Sequence, residues 1–272
     1  MLSALRRNLR RGQDNMSLTQ SAILSVKGVT VHFGGILALS NVSFDVPRGG
    51  VFGLIGPNGA GKTTLFNCLS RLYSYQEGDI CFEGKSITKL PPHAMSSLGV
   101  ARTFQNLAMF RTMSVTDNIM EGAHCRSSAG FIAGALGLPW ASSEEMRLRG
   151  RAEELVRYLD LWPVRNRHVG DLPFGIQKRV ELGRALAADP TLLLLDEPAA
   201  GLNHDEVSTL KALICDIRDR LSVTILLVEH HMGLIMAVSD RIAALNFGSK
   251  IAEGSPADIQ NNNAVIAAYL GA

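Results

Sequence analysis

Residues 56–64 read Gly56-Pro57-Asn58-Gly59-Ala60-Gly61-Lys62-Thr63-Thr64 and fit G-x-x-x-x-G-K-[ST], with Gly56, Gly61, Lys62 and Thr63 in the fixed places. Glycines let a backbone wrap an anion closely, with its N–H groups turned inward. A helix beginning at the end of such a loop adds a positive dipole end. In this arrangement Lys62 reaches the β- and γ-phosphates of a nucleoside triphosphate and the hydroxyl of Thr63 binds magnesium. The flanks agree with that reading. Val51-Phe52-Gly53-Leu54-Ile55 is an apolar run suited to a buried parallel strand, and Leu65, Leu69 and Leu72 fall at helical spacing behind the loop.

A second group of residues could share that site. Leu192-Leu193-Leu194-Leu195-Asp196-Glu197 is an apolar strand ending in two carboxylates. Asp196 stands where a phosphate-loop enzyme holds magnesium. Glu197, one residue on, can polarise a water for attack on the γ-phosphate, although adjacent acids also simply solvate strand ends. Val228-Glu229-His230-His231 closes another apolar strand, Val223–Val228. His230 can donate a hydrogen bond to a γ-phosphate or can be structural, and His231 reads as a turn residue.

The elements that must position these groups follow from periodicity. Residues 22–46 alternate apolar and polar, punctuated by Gly28, Gly34-Gly35 and Pro47-Arg48-Gly49-Gly50, and read as short antiparallel strands. Residues 78–88 continue the pattern through Ile80, Phe82 and Ile87. Residues 106–170 carry helix formers, with Ala152, Leu155, Val156 and Leu159 on one apolar face and a flexible Ser/Gly/Pro stretch around 127–143. From 171 onward helices alternate with buried strands. The expected fold is α/β: a phosphate-loop core with an antiparallel β subdomain and an inserted helical subdomain.

Bulk properties narrow the class. A net charge of +2 implies no strong field for nucleic acid. Cys68, Cys81, Cys125 and Cys215 have no C-x-x-C or metal-ligand spacing and read as free thiols in a reducing compartment. No apolar run approaches the roughly 18 residues that cross a bilayer, so any membrane work needs another subunit to cross it. Near the N-terminus, Arg6, Arg7, Arg10 and Arg11 are followed by Gly12-Gln13-Asp14-Asn15 rather than by an apolar core, unlike a secretory signal. Residues 1–21 are expected to be a basic, disordered tail, with Met16 an alternative start or the arginines a contact for anionic lipid.

Taken together, the motifs over residues 20–270 resemble the ATP-binding subunit of an ABC transporter. The order is phosphate loop, then Phe104-Gln105, then a signature region before Asp196-Glu197, then a strand ending in histidine. No N-K-x-D guanine-reading motif is present. Four stretches are similar to the ATPases of branched-chain amino acid importers: Phe33-Gly34-Gly35, Ala101-Arg102-Thr103-Phe104-Gln105-Asn106, Asp196-Glu197-Pro198-Ala199-Ala200-Gly201-Leu202-Asn203, and Ala267-Ala268-Tyr269-Leu270-Gly271. The resemblance implies a domain over 22–272, with its helical subdomain at about 106–170. It implies that Phe33 stacks on adenine, although on its own Phe33 reads as a core strand aromatic. Thr63, Gln105 and Asp196 would surround magnesium, Glu197 would be the general base, and His230 would sense the γ-phosphate. Gln105 would also couple the nucleotide to a membrane subunit, docked on the surface between Asn106 and Ala123.

The implied partners are integral membrane permease subunits, a second ATPase subunit (a different chain, or a second copy) and, indirectly, a periplasmic solute-binding protein. The implied place is the cytoplasmic face of the inner membrane. One departure stands out. The signature, usually Leu-Ser-Gly-Gly-Gln, here reads Leu172-Pro173-Phe174-Gly175-Ile176 followed by Gln177, and Asn203 replaces the usual aspartate. In the family it resembles, each signature completes the other subunit's site, so the expectation is that this chain's own phosphate-loop site is complete and that the site its signature helps build in a partner is weaker. Pro173 suits the first turn of a helix, and Gly175 keeps its amide available to an anion. Competing readings are the ATPase of an exporter such as a lipopolysaccharide export system, a non-transport ABC protein, and a small-molecule kinase. A single phosphate loop, no heptad run and no acceptor site weigh against the last two.

Overall fold

Apolar–polar alternation in the first described residues builds a sheet that covers one side of the molecule. The computed structural model describes residues 22–103, 108–124 and 139–270. The chain opens with β1 (Ala22–Phe33), β2 (Ile36–Pro47), β3 (Val51–Ile55), α1 (Lys62–Leu69), β4 (Glu77–Phe82) and β5 (Lys85–Ser86). It continues through α2 (Ala94–Leu98), β6 (Val100–Arg102), α3 (Val115–Glu121), α4 (Pro139–Tyr158) and α5 (Phe174–Ala187). It closes with β7 (Leu192–Asp196), α6 (His204–Leu221), β8 (Thr224–Val228), α7 (Met232–Val238), β9 (Arg241–Asn246), β10 (Ser249–Gly254), α8 (Pro256–Gln260) and α9 (Asn263–Leu270).

The antiparallel sheet has the order β2-β1-β4-β5. Where the alternation predicts several short strands, there is one long hairpin turned at Gly34-Gly35. Gly28 does not end a strand. Its neighbourhood is absorbed as an irregularity, with the β1–β2 register shifting between Val26 and Val29. A bulge of this kind bends the strand without ending its pairing.

The second sheet has the order β10-β9-β3-β8-β7-β6. β6, β7, β8, β3 and β9 are parallel, and β10 folds back antiparallel on β9. β3, β7 and β8 are buried along their whole lengths. That explains their unbroken apolar runs, since a parallel sheet is covered on both faces. Successive residues then serve opposite layers. Phe52, Leu54, Leu192, Leu194, Leu226 and Val228 join Leu65, Phe66 and the antiparallel sheet. Val51, Ile55, Leu193, Leu195, Ile225 and Leu227 join the helices.

Helices occupy the chain between β6 and β7, with α3, α4 and α5 packed on one another through Ile119, Leu155, Leu159 and Val180. α4 begins at Pro139, so the last five residues of the stretch expected to be flexible are helical. The rest of that stretch, the N-terminal tail, Gln105 and Cys125 lie outside the described residues. Cys68, Cys81 and Cys215 are free thiols, and burial pushes the Cys68 pKa up to about 11.

Asn203, the departure noted above, caps α6. Its side chain accepts from the Glu206 amide at 3.0 Å, and the Glu206 carboxylate accepts from the Asn203 amide at 2.9 Å. This capping box is a local reason for an amide or a carboxylate at position 203. Asn203→Ala should therefore lower unfolding stability by about 1 kcal/mol, measured by urea denaturation, while Asn203→Asp should leave it nearly unchanged.

Candidate active site

Parallel strands carry their carboxyl ends to one edge, and every residue singled out from the strand ends arrives there. After Ile55 the chain turns through residues 56–61 into α1. Gly56 lies so close to β9 that a Cβ on it would stand 2.3 Å from the Leu245 carbonyl oxygen. Gly61, at φ 98, caps α1 in a left-handed conformation, and a Cβ there would meet the Ala38 carbonyl at 2.8 Å. Only glycine fits both places. Asn58, Gly59 and Thr63 are exposed, Pro57 and Thr64 are half-buried, and Ala60 is buried. The first turn of α1 holds no acidic residue and takes no side-chain cap, so its amides and positive dipole end suit an anion.

Lys62 is only 6% exposed. Its ammonium donates to the carbonyls of Gly56 at 2.6 Å and Pro57 at 3.0 Å. Burial pulls its pKa down, and the nearby charges of Glu197 and Asp196 pull it back up. The lysine and both carboxylates therefore share one electrostatic environment, although they come from distant parts of the chain.

Asp196 ends β7 and pairs with Arg102 at 2.8 Å, the two side chains being 4% and 9% exposed. Arg102 also donates to the Asn67 side chain at 2.8 Å, to the Ser70 hydroxyl at 3.0 Å and to the Phe66 carbonyl at 3.3 Å. One guanidinium thus ties the strand of the carboxylates to the helix that follows the phosphate loop. The sequence places Arg102 in a notable motif but gives it no role, because its partners lie 32 to 94 residues away. Glu197 has φ 45, a left-handed backbone on a side chain with Cβ, and its amide donates to the Val228 carbonyl at 2.9 Å. Nδ1 of the exposed His230 stands 3.7 Å from Glu197 Oε2, so the geometry brings these two together.

Glu229 is a second position, after Arg102, whose part in the site sequence reasoning missed. It is fully buried, yet one carboxylate oxygen accepts from the Ala199 amide at 2.7 Å and the other from the amides of His230 and His231 at 3.1 Å each. It joins the segment after Glu197 to the turn that presents His230. A carboxylate beginning Glu229-His230-His231 was the available signal. His231, read as a turn residue, caps α7 through Nδ1, which accepts from the Leu234 amide at 3.1 Å.

Magnesium takes oxygen ligands and retains waters, and the Thr63 hydroxyl and the Asp196 carboxylate are donors of that kind. Asp196 meets Arg102 through Oδ2, so its other oxygen is the one suited to a cation. No group of three or more His, Cys, Asp or Glu among the described residues forms a metal cage. The donor set fits an ion shared with phosphates. Gln105, the third expected ligand, lies outside the described residues.

Phe33 ends β1 with 45% of its surface exposed and its ring edge-on to Tyr73, 5.3 Å between centroids. It is not the core aromatic that its strand position alone would imply. In the signature region Leu172 is buried, and its carbonyl accepts from the Gln177 side chain at 2.7 Å. Pro173 stands just before α5 as its cap rather than inside the first turn, and its carbonyl accepts from the amides of Ile176 and Gln177. Phe174 lies against Gly201, and Gly175 lies so close to Glu206 that a Cβ would meet Oε1 at 2.2 Å. The start of α5 is thus packed on the segment that Glu229 anchors.

The sequence pattern of the ABC transporter family matches residues 39–200, more than half the chain. The chain belongs to the ABC transporter ATP-binding family. As an ATP-binding cassette it binds and hydrolyses ATP. A second pattern, of the branched-chain amino acid ATP-binding cassette transporter, matches residues 249–272. The cassette is 42% identical over 249 residues to the high-affinity branched-chain amino acid transport ATP-binding protein BraF of Pseudomonas aeruginosa, covering 92% of this chain and 98% of that one. It is 41% identical, with the same coverage, to the corresponding LivG of Escherichia coli K12. A crystal structure of a nucleotide-free ATP-binding cassette from an ABC transporter superposes with a TM-score of 0.81 at 28% identity, covering 93% of this chain and all of that one.

Within the cassette, the Arg102–Asp196 pair makes a direct prediction. Arg102→Met leaves a buried carboxylate without its cation and should cost about 3 kcal/mol in chemical denaturation. Adding Asp196→Asn should recover part of that loss. A double variant no more stable than the single one would show that the pair is not what Arg102 contributes.

Proposed function

We propose that this cassette is one of two ATPase subunits that drive a membrane importer of branched-chain amino acids or related small polar solutes. The observation that carries the substrate class is the match of residues 249–272 to the branched-chain cassette pattern, supported by relatives of 41–42% identity that carry that name. The same relatives favour import over the exporter reading. No helix of the described residues is long and apolar enough to cross a membrane, which is compatible with a peripheral subunit working on permease subunits at the cytoplasmic face. A second ATPase subunit would complete the dimer, and a periplasmic solute-binding protein would deliver the cargo.

The residues take these roles. Phe33 offers an aromatic face to adenine at the tip of the hairpin whose β2 strand lies against Gly61. The amides of residues 58–64 and Lys62 hold the phosphates, and Glu197 takes a proton from the attacking water. His230, within reach of Glu197, is oriented by the Glu229-anchored turn and contacts the γ-phosphate. Magnesium, held by Thr63, Asp196 and Gln105, would offset phosphate charge. Leu172, Pro173, Phe174 and Gly175 face the nucleotide of the neighbouring subunit. ATP bound between the two subunits would close them, and hydrolysis would reopen them.

Two measurements test this reading. Glu197→Gln should keep nucleotide affinity and lose turnover by about a hundredfold or more, as expected for loss of a general base. Wild-type turnover in that variant removes Glu197 from the role. Reconstituted with its permease, second ATPase and binding protein, the complex should turn over ATP faster when leucine, isoleucine or valine is supplied. Turnover indifferent to all three would remove the substrate assignment.

A further inference from the structure

Residues 267–270, Ala267-Ala268-Tyr269-Leu270, take no part in the chemistry described above, and Tyr269 lies 213 positions from Gly56. The fold closes that separation. β9 pairs directly with β3, the strand that feeds the phosphate loop, and β10 returns beside β9. α8 starts from a capping box of Ser255 and Asp258. Asn262 then caps α9, accepting from the amides of Ala264 at 2.9 Å and Val265 at 3.2 Å. Val265 is buried in the helix-side core. Tyr269 is four residues further on, on the same side of the helix as Val265, with 41% of its surface still exposed and its hydroxyl reaching the loop.

The Tyr269 hydroxyl accepts a hydrogen bond from the Gly56 N–H at 2.8 Å. Gly56 is thereby held on three sides. Its N–H meets Tyr269, its Cα lies under the Leu245 carbonyl with no room for a side chain, and its own carbonyl accepts from Lys62 at 2.6 Å. The turn between β9 and β10 makes a second contact, the Gly248 N–H donating to the Ala60 carbonyl at 3.1 Å. The C-terminal segment thus grips the phosphate loop at its first and fifth residues. Burial pushes the Tyr269 pKa up and the Gly56 N–H opposes that shift. The phenol therefore stays protonated at neutral pH, as a neutral acceptor.

We propose that Tyr269 is a positioning residue for nucleotide binding: its hydroxyl pins Gly56, and through it the loop and Lys62, so that the C-terminal helix is part of the ATP site. This rests on ATP binding by the cassette and is independent of what is imported. A loop rich in glycine has the most freedom to lose on ordering, and a contact from outside that fixes it in advance favours ligand binding.

The test uses the full chain, a fluorescent ATP analogue with magnesium, and hydrogen exchange at the Gly56 amide. Tyr269→Phe keeps the ring and removes only the hydroxyl. It should melt with the parent, exchange the Gly56 amide faster, and bind the analogue roughly fivefold more weakly, the scale of one net hydrogen bond. KM for ATP should rise in step while kcat at saturation holds. Tyr269→Ala should show at least the same loss together with a lower melting temperature. Parent-like binding and exchange in Tyr269→Phe, with damage only in Tyr269→Ala, would mean that the ring merely packs and would overturn the proposal. Tighter binding in Tyr269→Phe would overturn it as well.

Discussion

Parallel pairing of β6, β7, β8, β3 and β9 is the constraint on which the site depends. A parallel strand cannot be reached by a tight turn, so the chain must cross back before each new strand. Each crossing delivers the next carboxyl end to the same edge. The phosphate loop leaves β3 there, the two carboxylates leave β7, the histidine turn leaves β8 and Arg102 ends β6. Ligand sites of open α/β sheets lie outside these strand ends for the same reason.

Across that edge the strand ends are tied by a small number of polar bonds. Arg102 binds the β7 carboxylate to the helix after the phosphate loop. Glu229 binds the segment after Glu197 to the turn of His230. Each is a buried charge with several partners, the condition under which burying a charge is tolerated. The start of α5 and the segment after Glu197 are in turn wedged together at Phe174–Gly201 and Gly175–Glu206, where no larger residue than glycine fits. The surface proposed to meet another subunit is thus mechanically continuous with the chain's own carboxylates.

What could be read in the sequence was what is local. The phosphate loop, Asp196-Glu197 and the buried strands are contiguous runs whose residue types declare their chemistry and their period. The alternation of residues 22–46 gave the antiparallel sheet but not its two long strands, because Gly28 looks like a stop and only pairing with β2 makes it an irregularity. Phe33 was ambiguous because exposure at a strand end depends on what the rest of the sheet covers. Arg102 and Tyr269 stayed silent for one reason: their partners are brought near by other elements, and no spacing encodes that. Glu229 bonds the amides of its own neighbours His230 and His231, a local signal, but its bond to the Ala199 amide is the part no spacing encodes. Asn203 read as a departure from a pattern until its bond with Glu206 made it a cap.

Glu197 occupies a backbone region that residues with a Cβ avoid, at φ 45. Holding a side chain there costs on the order of 1–2 kcal/mol, and the parallel ladder through the Val228 carbonyl enforces it. Glycine would relieve that strain and remove the carboxylate in one step. A search for hardier variants that scores folding alone would favour glycine here and return a sturdier protein without the base proposed for the reaction. Seven other described residues with a Cβ share this backbone region, and Glu197 is the one among them proposed to act on the nucleotide.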